Sequence, residues 1–167
     1  LEARTGRFVV MGVSGVGKTG TGTRLAAALG GRFVEGDDLH SPEARAKMAA
    51  GTPLTDEDRW PWLDRVAEAL AEGEAPVVGA CSALRRGYRD RLRARVPDLV
   101  FLHLVAERGL IHERLLKRQG HYMPPALLDS QIEALEPLEA DERGLRVPVD
   151  GPKEEVLADL LERLARL

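Results

Sequence analysis

The residues Gly12-Val13-Ser14-Gly15-Val16-Gly17-Lys18-Thr19 satisfy G-x-x-x-x-G-K-[ST] at every fixed position. Each type has a chemical reason to be there. Glycines let successive amides turn inward and form an anion nest. A helix starting at Lys18 adds the partial positive charge of its N-terminus. Lys18 is a mobile cation for the β- and γ-phosphates, and the Thr19 hydroxyl is a ligand for Mg²⁺. The stretch therefore predicts binding of a nucleoside triphosphate, with Gly12 to Thr19 around its phosphates. Gly15-Val16-Gly17-Lys18-Thr19-Gly20 also satisfies G-x-G-x-x-G, the dinucleotide fingerprint. That reading starts the turn three residues late and leaves Lys18 without a purpose.

The second chemical signal is Phe33-Val34-Glu35-Gly36-Asp37-Asp38-Leu39-His40. Its acids fall where an apolar strand ends, and carboxyl ends of parallel strands surround the ligand crevice in open α/β sheets. An acid there receives a proton from a substrate hydroxyl, which is the role expected of Asp37. Glu35 or Asp37 would also hold Mg²⁺ through water. The plainer alternative makes Asp37 and Asp38 turn residues that cap the next helix. No Asn occurs in the chain, so the N-K-x-D guanine motif is missing. The third strand, Val77 to Ala80, ends without an Asp, unlike a motor or transporter ATPase.

The elements that must position these residues alternate between short apolar runs and helical patterns, the mark of an α/β protein with a parallel sheet. Strands are expected at Phe8–Met11, Arg32–Glu35, Val77–Ala80, Val100–Val105 and Leu145–Val149. Helices are expected at Lys18–Leu29, Pro42–Ala50, from Asp56 or Pro61 to Ala71, and at Arg85–Arg95, Glu107–Arg118, Pro125–Leu135 and Glu154–Leu167. Leu157, Leu160, Leu161 and Leu164 make a core-facing stripe on the last helix. The 167 residues suit one domain. A net charge of −3 and 4% aromatic residues argue against nucleic acid as partner. The lone Cys81 excludes an internal disulfide, and no apolar run reaches the ~18 residues of a membrane span. A cytoplasmic setting is the expectation. The basic residues are twenty Arg and four Lys, which we read as codon bias in a GC-rich genome.

Longer blocks narrow the class. Glu35 to Pro42, Lys47 to Leu63, Cys81-Ser82-Ala83-Leu84-Arg85-Arg86-Gly87-Tyr88-Arg89-Asp90, Arg118-Gln119-Gly120-His121-Tyr122-Met123-Pro124, Leu127 to Gln131 and Leu135 to Leu138 together resemble gluconokinases of the P-loop type. The resemblance runs from Phe8 onward. It implies a P-loop NTPase fold, three-layer α/β/α with a five-stranded parallel sheet and a small mobile lid at about 114–135. The implied activity is ATP- and Mg²⁺-dependent phosphorylation of D-gluconate at its 6-hydroxyl. Another small-molecule kinase, shikimate- or nucleotide-kinase-like, and a non-catalytic nucleotide-binding module are the alternatives. Two departures stand out. Ala44 replaces a frequent Asn, with Arg45 beside it as a potential substitute, and Arg85 replaces a frequent Lys.

Gluconate carries a carboxylate and a row of hydroxyls, so its site needs cations and hydrogen-bonding groups. His40, Lys47, Arg59, Arg85, Arg89 and His121 lie in the matched blocks and are the candidates beside Asp37. Lys47 at a helix end, and the arginines of the 85–93 helix, also suit a solvated face, the reading preferred for Arg93. Asp56, Glu57 and Asp58 read as helix N-terminal charges capped by Thr55, and Trp60 and Trp62 as packing. Arg118 is the expected lid cation that closes on the transferring phosphoryl group, with Arg114 one turn earlier as the alternative and a nucleotide contact. The oligomeric state stays open, a homodimer being one option.

Overall fold

The computed structural model describes residues 5–117 and 125–167. Its elements run β1 (Arg7–Met11), α1 (Lys18–Leu29), β2 (Arg32–Glu35), a 3₁₀ turn (Gly36–Leu39), α2 (Pro42–Ala49), α3 (Asp56–Ala71), β3 (Val77–Ala80), α4 (Arg86–Arg95), β4 (Val100–Val105), α5 (Arg108–Lys117), α6 (Pro125–Ala134), β5 (Gly144–Pro148) and α7 (Lys153–Ala165). The strands form one parallel sheet in the order β2-β3-β1-β4-β5. Every strand of the sequence reading is present, with ends shifted by one residue at most. Pro61 lies inside α3, which starts at the earlier of its two expected positions.

Strand periodicity divides the core. Phe8 and Val10 of β1, with Leu102 and Leu104 of β4, face α1 and α7, while Val9, Met11 and Phe101 face α3 and α4. On α7, Leu160 and Leu164 are fully buried, and Leu157 and Leu161 pack beside them. The starts of α2 and α3 are chemically marked. Ser41 caps α2 through the Ala44 amide, and Thr55 and Asp58 form a capping box on α3. Among the described residues no helix is long and apolar enough to cross a membrane. Of the segment read as a lid, 114–117 completes α5 and 125–134 forms α6, whose Leu128 is fully buried in the core; 118–124 lie outside the described residues.

A buried ion-pair cluster corrects two sequence expectations. Arg89, read as a substrate ligand, is 0% exposed. It grips Glu142 with Nε–Oε1 at 2.7 Å and Nη2–Oε2 at 3.0 Å, and donates to the carbonyls of Ala83 (2.9 Å) and Pro137 (3.3 Å). Arg93, read as a solvated face, is mostly buried against Phe101 and donates to Glu142 (2.8 Å) and Asp90 (2.7 Å). The pattern of arginines on an exposed helix concealed this because their partner lies some fifty residues downstream.

Burial alone would raise the Glu142 carboxyl, but its bonds to Arg89, the Glu139 amide and Arg93 prevail and hold it at about 2, below its ordinary 4.5. A carboxylate depressed in the folded state stabilises fully above its unfolded value and loses that contribution as pH falls through the folded one. Glu142→Gln should therefore cost about 3–5 kcal/mol at pH 7, since it leaves buried guanidinium unpaired. It should also flatten the fall in stability between pH 4.5 and about 2. Urea unfolding across that window checks both; an unchanged acid limb would remove Glu142 from the account.

Candidate active site

The phosphate loop joins β1 to α1 at the centre of the sheet's carboxyl edge. Gly15 has φ +90, and a Cβ there would meet Ile111 Cγ2 at 2.9 Å and Leu115 Cγ at 3.0 Å. The residue must be glycine both for its backbone angle and because α5 lies against it. Lys18 Nζ donates to the carbonyls of Gly12 (2.9 Å) and Val13 (3.1 Å), so the ammonium is folded back over its own loop. The Ser14 amide donates to Gln131 Oε1 of α6 at 2.8 Å, a contact across 117 positions that the sequence reading missed.

One cavity of about 320 Å³ gathers most of the chemistry. Ser14, Gly15, Gly17, Lys18, Thr19, Gly20, Glu35, Asp37, Ala80, Cys81 and Arg114 line it. The sequence reading put the loop, the acids and Arg114 at one site, and they share this space. Val13 and Val16 turn their side chains away, into the core. Thr19 Oγ1 donates to Glu35 Oε2 at 2.5 Å. Of the two acids proposed beside Thr19, Glu35 is thus in direct contact with it. These are hard oxygen donors, and their chemistry fits Mg²⁺ completed by water and phosphate oxygens.

Asp37 is exposed in the 3₁₀ turn, with its amide 3.4 Å from Glu35 Oε1. Gly36 makes the turn possible, since a Cβ there would stand 2.5 Å from the Ala80 carbonyl oxygen. Asp38 does not line the cavity, and Ser41, not Asp38, caps α2. Cys81 is buried on the cavity wall, and burial pushes its thiol up to about 12. It is a neutral thiol, not a nucleophile.

A second, smaller space of about 190 Å³ adjoins the first through Gly17 and Arg114 and continues along Thr21, Arg24, Val149, Gly151 and Lys153. Arg114 donates to the Val149 carbonyl at 2.6 Å, which fixes it between the two. Glu113, one turn from the same helix end, pairs with Lys117.

The acceptor-side candidates lie on the turn after β2 and on α2, α3 and α4. His40 is buried and stacks on Trp62 at 4.2 Å between centroids, and Trp62 Nε1 donates to the Gly36 carbonyl at 2.7 Å. Burial lowers the His40 pKa, with nearby arginines adding to that and Asp37 opposing it, so the ring is neutral at neutral pH. Its Nδ1 is buried and has no partner among the described residues. Arg45 donates to the carbonyls of Asp38 (2.7 Å) and His40 (3.3 Å), bracing the turn, while Ala44 is buried.

Lys47 is held by both carboxylate oxygens of Asp58, at 3.0 and 2.8 Å. Arg59 lies 5.4 Å from the Tyr88 ring centroid and pairs with Asp56. The Tyr88 hydroxyl donates to Asp56 at 2.6 Å, and exposed Arg85 acts electrostatically on the same hydroxyl. Arg118 and His121 lie outside the described residues.

Residues 8–138 match the family model described as an AAA domain. A probable gluconokinase of Mus musculus is 43% identical, over 95% of this chain and 97% of its own. The gluconokinase of Gluconobacter oxydans is 45% identical, over 92% of this chain and 88% of its own. The crystal structure of a gluconokinase from Sinorhizobium meliloti superposes with a TM-score of 0.90 at 48% identity, covering 98% of this chain and 93% of that one. With the nucleotide loop and the strand-end acids assembled around one cavity, this chain belongs to the gluconokinase family of P-loop kinases.

Proposed function

We propose that this protein transfers the γ-phosphoryl group of ATP to the 6-hydroxyl of D-gluconate, giving 6-phosphogluconate and ADP. The observation that carries the reading is the shared cavity, where Lys18 and the loop amides face Asp37 across the end of the sheet. The loop amides and Lys18 hold the β- and γ-phosphates, and the adjoining space beyond Arg114 takes the nucleoside. Thr19 and Glu35 hold Mg²⁺, which when bound neutralises phosphate charge.

The acceptor approaches from the β2 side. Asp37 accepts the hydroxyl proton as the O6–P bond forms and the bond from phosphorus to the ADP oxygen breaks. Arg59 and Arg85, flanking Tyr88, and Lys47 are the cations for the gluconate carboxylate. His40, buried at the turn that carries Asp37, is the neutral hydrogen-bonding candidate on this side. Arg118 is the cation that closes over the transferring group, a role tested against Arg114 by single-turnover transfer with each alanine variant. The reaction is assigned to the cytoplasm.

Asp37→Asn keeps the shape and removes the basicity, so kcat should fall roughly 10²–10⁴-fold. A near-normal kcat would leave Asp37 as a turn residue. Lys18→Ala should abolish transfer while leaving the nucleotide-free melting temperature close to wild type, because the side chain is folded over a surface loop. A large loss of stability would make Lys18 structural. Replacing gluconate by glucose should nearly eliminate ADP release, since the cations for the carboxylate lose their partner. Equal turnover of the two sugars would refute the assignment.

A further inference from the structure

The Val13–Ser14 peptide is held at both ends. Its carbonyl accepts from Lys18 Nζ at 3.1 Å, and its N–H donates to Gln131 Oε1 at 2.8 Å. The peptide unit is planar, so fixing the direction of its N–H fixes the direction of its carbonyl. Gln131 itself has little freedom. It is half-buried on α6, between fully buried Leu128 and the packed residues Ile132 and Leu135. Just past that helix, the Glu136 amide donates to the Leu84 carbonyl at 2.7 Å, and Glu136 Oε1 accepts from the Arg86 amide at 2.8 Å, at the start of α4. The end of α6 is therefore bonded both to the phosphate loop and to the loop after β3.

We infer that Gln131 is a positioning residue for nucleotide binding: through the Val13–Ser14 peptide it sets the carbonyl against which Lys18 rests, and with it the approach of the ammonium to phosphate. With the Ser14 amide already bonded to Gln131, the anion nest is formed by the amides that follow it. The inference rests on nucleotide binding by this loop and adds a residue from 117 positions away. Neither composition nor spacing marks Gln131 for this role, since a glutamine on an amphipathic helix reads as surface.

The test is titration of wild type, Gln131→Met, Lys18→Met and the double variant with the non-hydrolysable ATP analogue AMP-PNP and Mg²⁺. Methionine keeps the length and apolar packing but removes the acceptor. Gln131→Met should weaken the analogue on the order of five- to tenfold, the scale of one lost hydrogen bond. It should leave the gluconate KM within about twofold. In the Lys18→Met background it should add nothing, because the two residues act through one peptide. Independent, multiplying losses would overturn the inference, as would wild-type affinity in Gln131→Met. A nucleotide-free melting temperature lowered as far as by Leu128→Ala would assign Gln131 to packing alone and likewise overturn it. If the wild type itself does not bind the analogue, the nucleotide reading fails first, and the titration distinguishes that from failure of Gln131 alone.

Discussion

The buried Arg89–Glu142 pair is the interaction on which the acceptor half of the molecule depends. One guanidinium on α4 joins the nearby Ala83 carbonyl to the Pro137 carbonyl and Glu142, some fifty positions further along the chain. Ala83 has φ +44, a left-handed conformation that costs a non-glycine residue of order 1 kcal/mol. The bond from Arg89 to its carbonyl helps to hold it there. The Cys81–Arg85 loop runs through that residue, from the wall of the phosphate cavity to the start of α4. The ion pair thus shapes the site without touching a ligand.

Charge is distributed accordingly. Many of the arginines act on protein rather than solvent. Arg86 binds Asp90, Glu139 and Asp141, Arg7 and Arg32 cap the end of α3 through backbone carbonyls, and Arg45 braces the turn carrying Asp37. A guanidinium suits each task because its planar fork reaches several acceptors at once. An arginine-rich composition of this kind says little about partners until each side chain's neighbours are known.

The fold was legible because its signals are local. β1, β3 and β4 announce themselves by mainly apolar runs of four to six residues, α7 by its leucine stripe, and the nucleotide loop by a pattern in which every fixed position has its own reason. Asp37 was legible as an acid at a strand end. Arg89 was not, because Glu142 and the loop it binds are brought near only by tertiary packing; the sequence shows a charge on a helix and nothing of its burial. Gln131 was missed for the same reason. Both failures concern polar groups whose partners are remote in the chain, and periodicity carries no information about those.

The contact between Gly15 and α5 has a mechanical consequence. Ile111 and Leu115 stand against the back of the phosphate loop, close enough that even one added methyl would collide. The loop is therefore hemmed in at Gly15, on the side of α5. The backbone at Gly15 has no room to move toward that helix, so this part of the loop is held in place before any phosphate arrives. The same contact seats the phosphate loop directly on the helix that runs from Arg108 to Lys117.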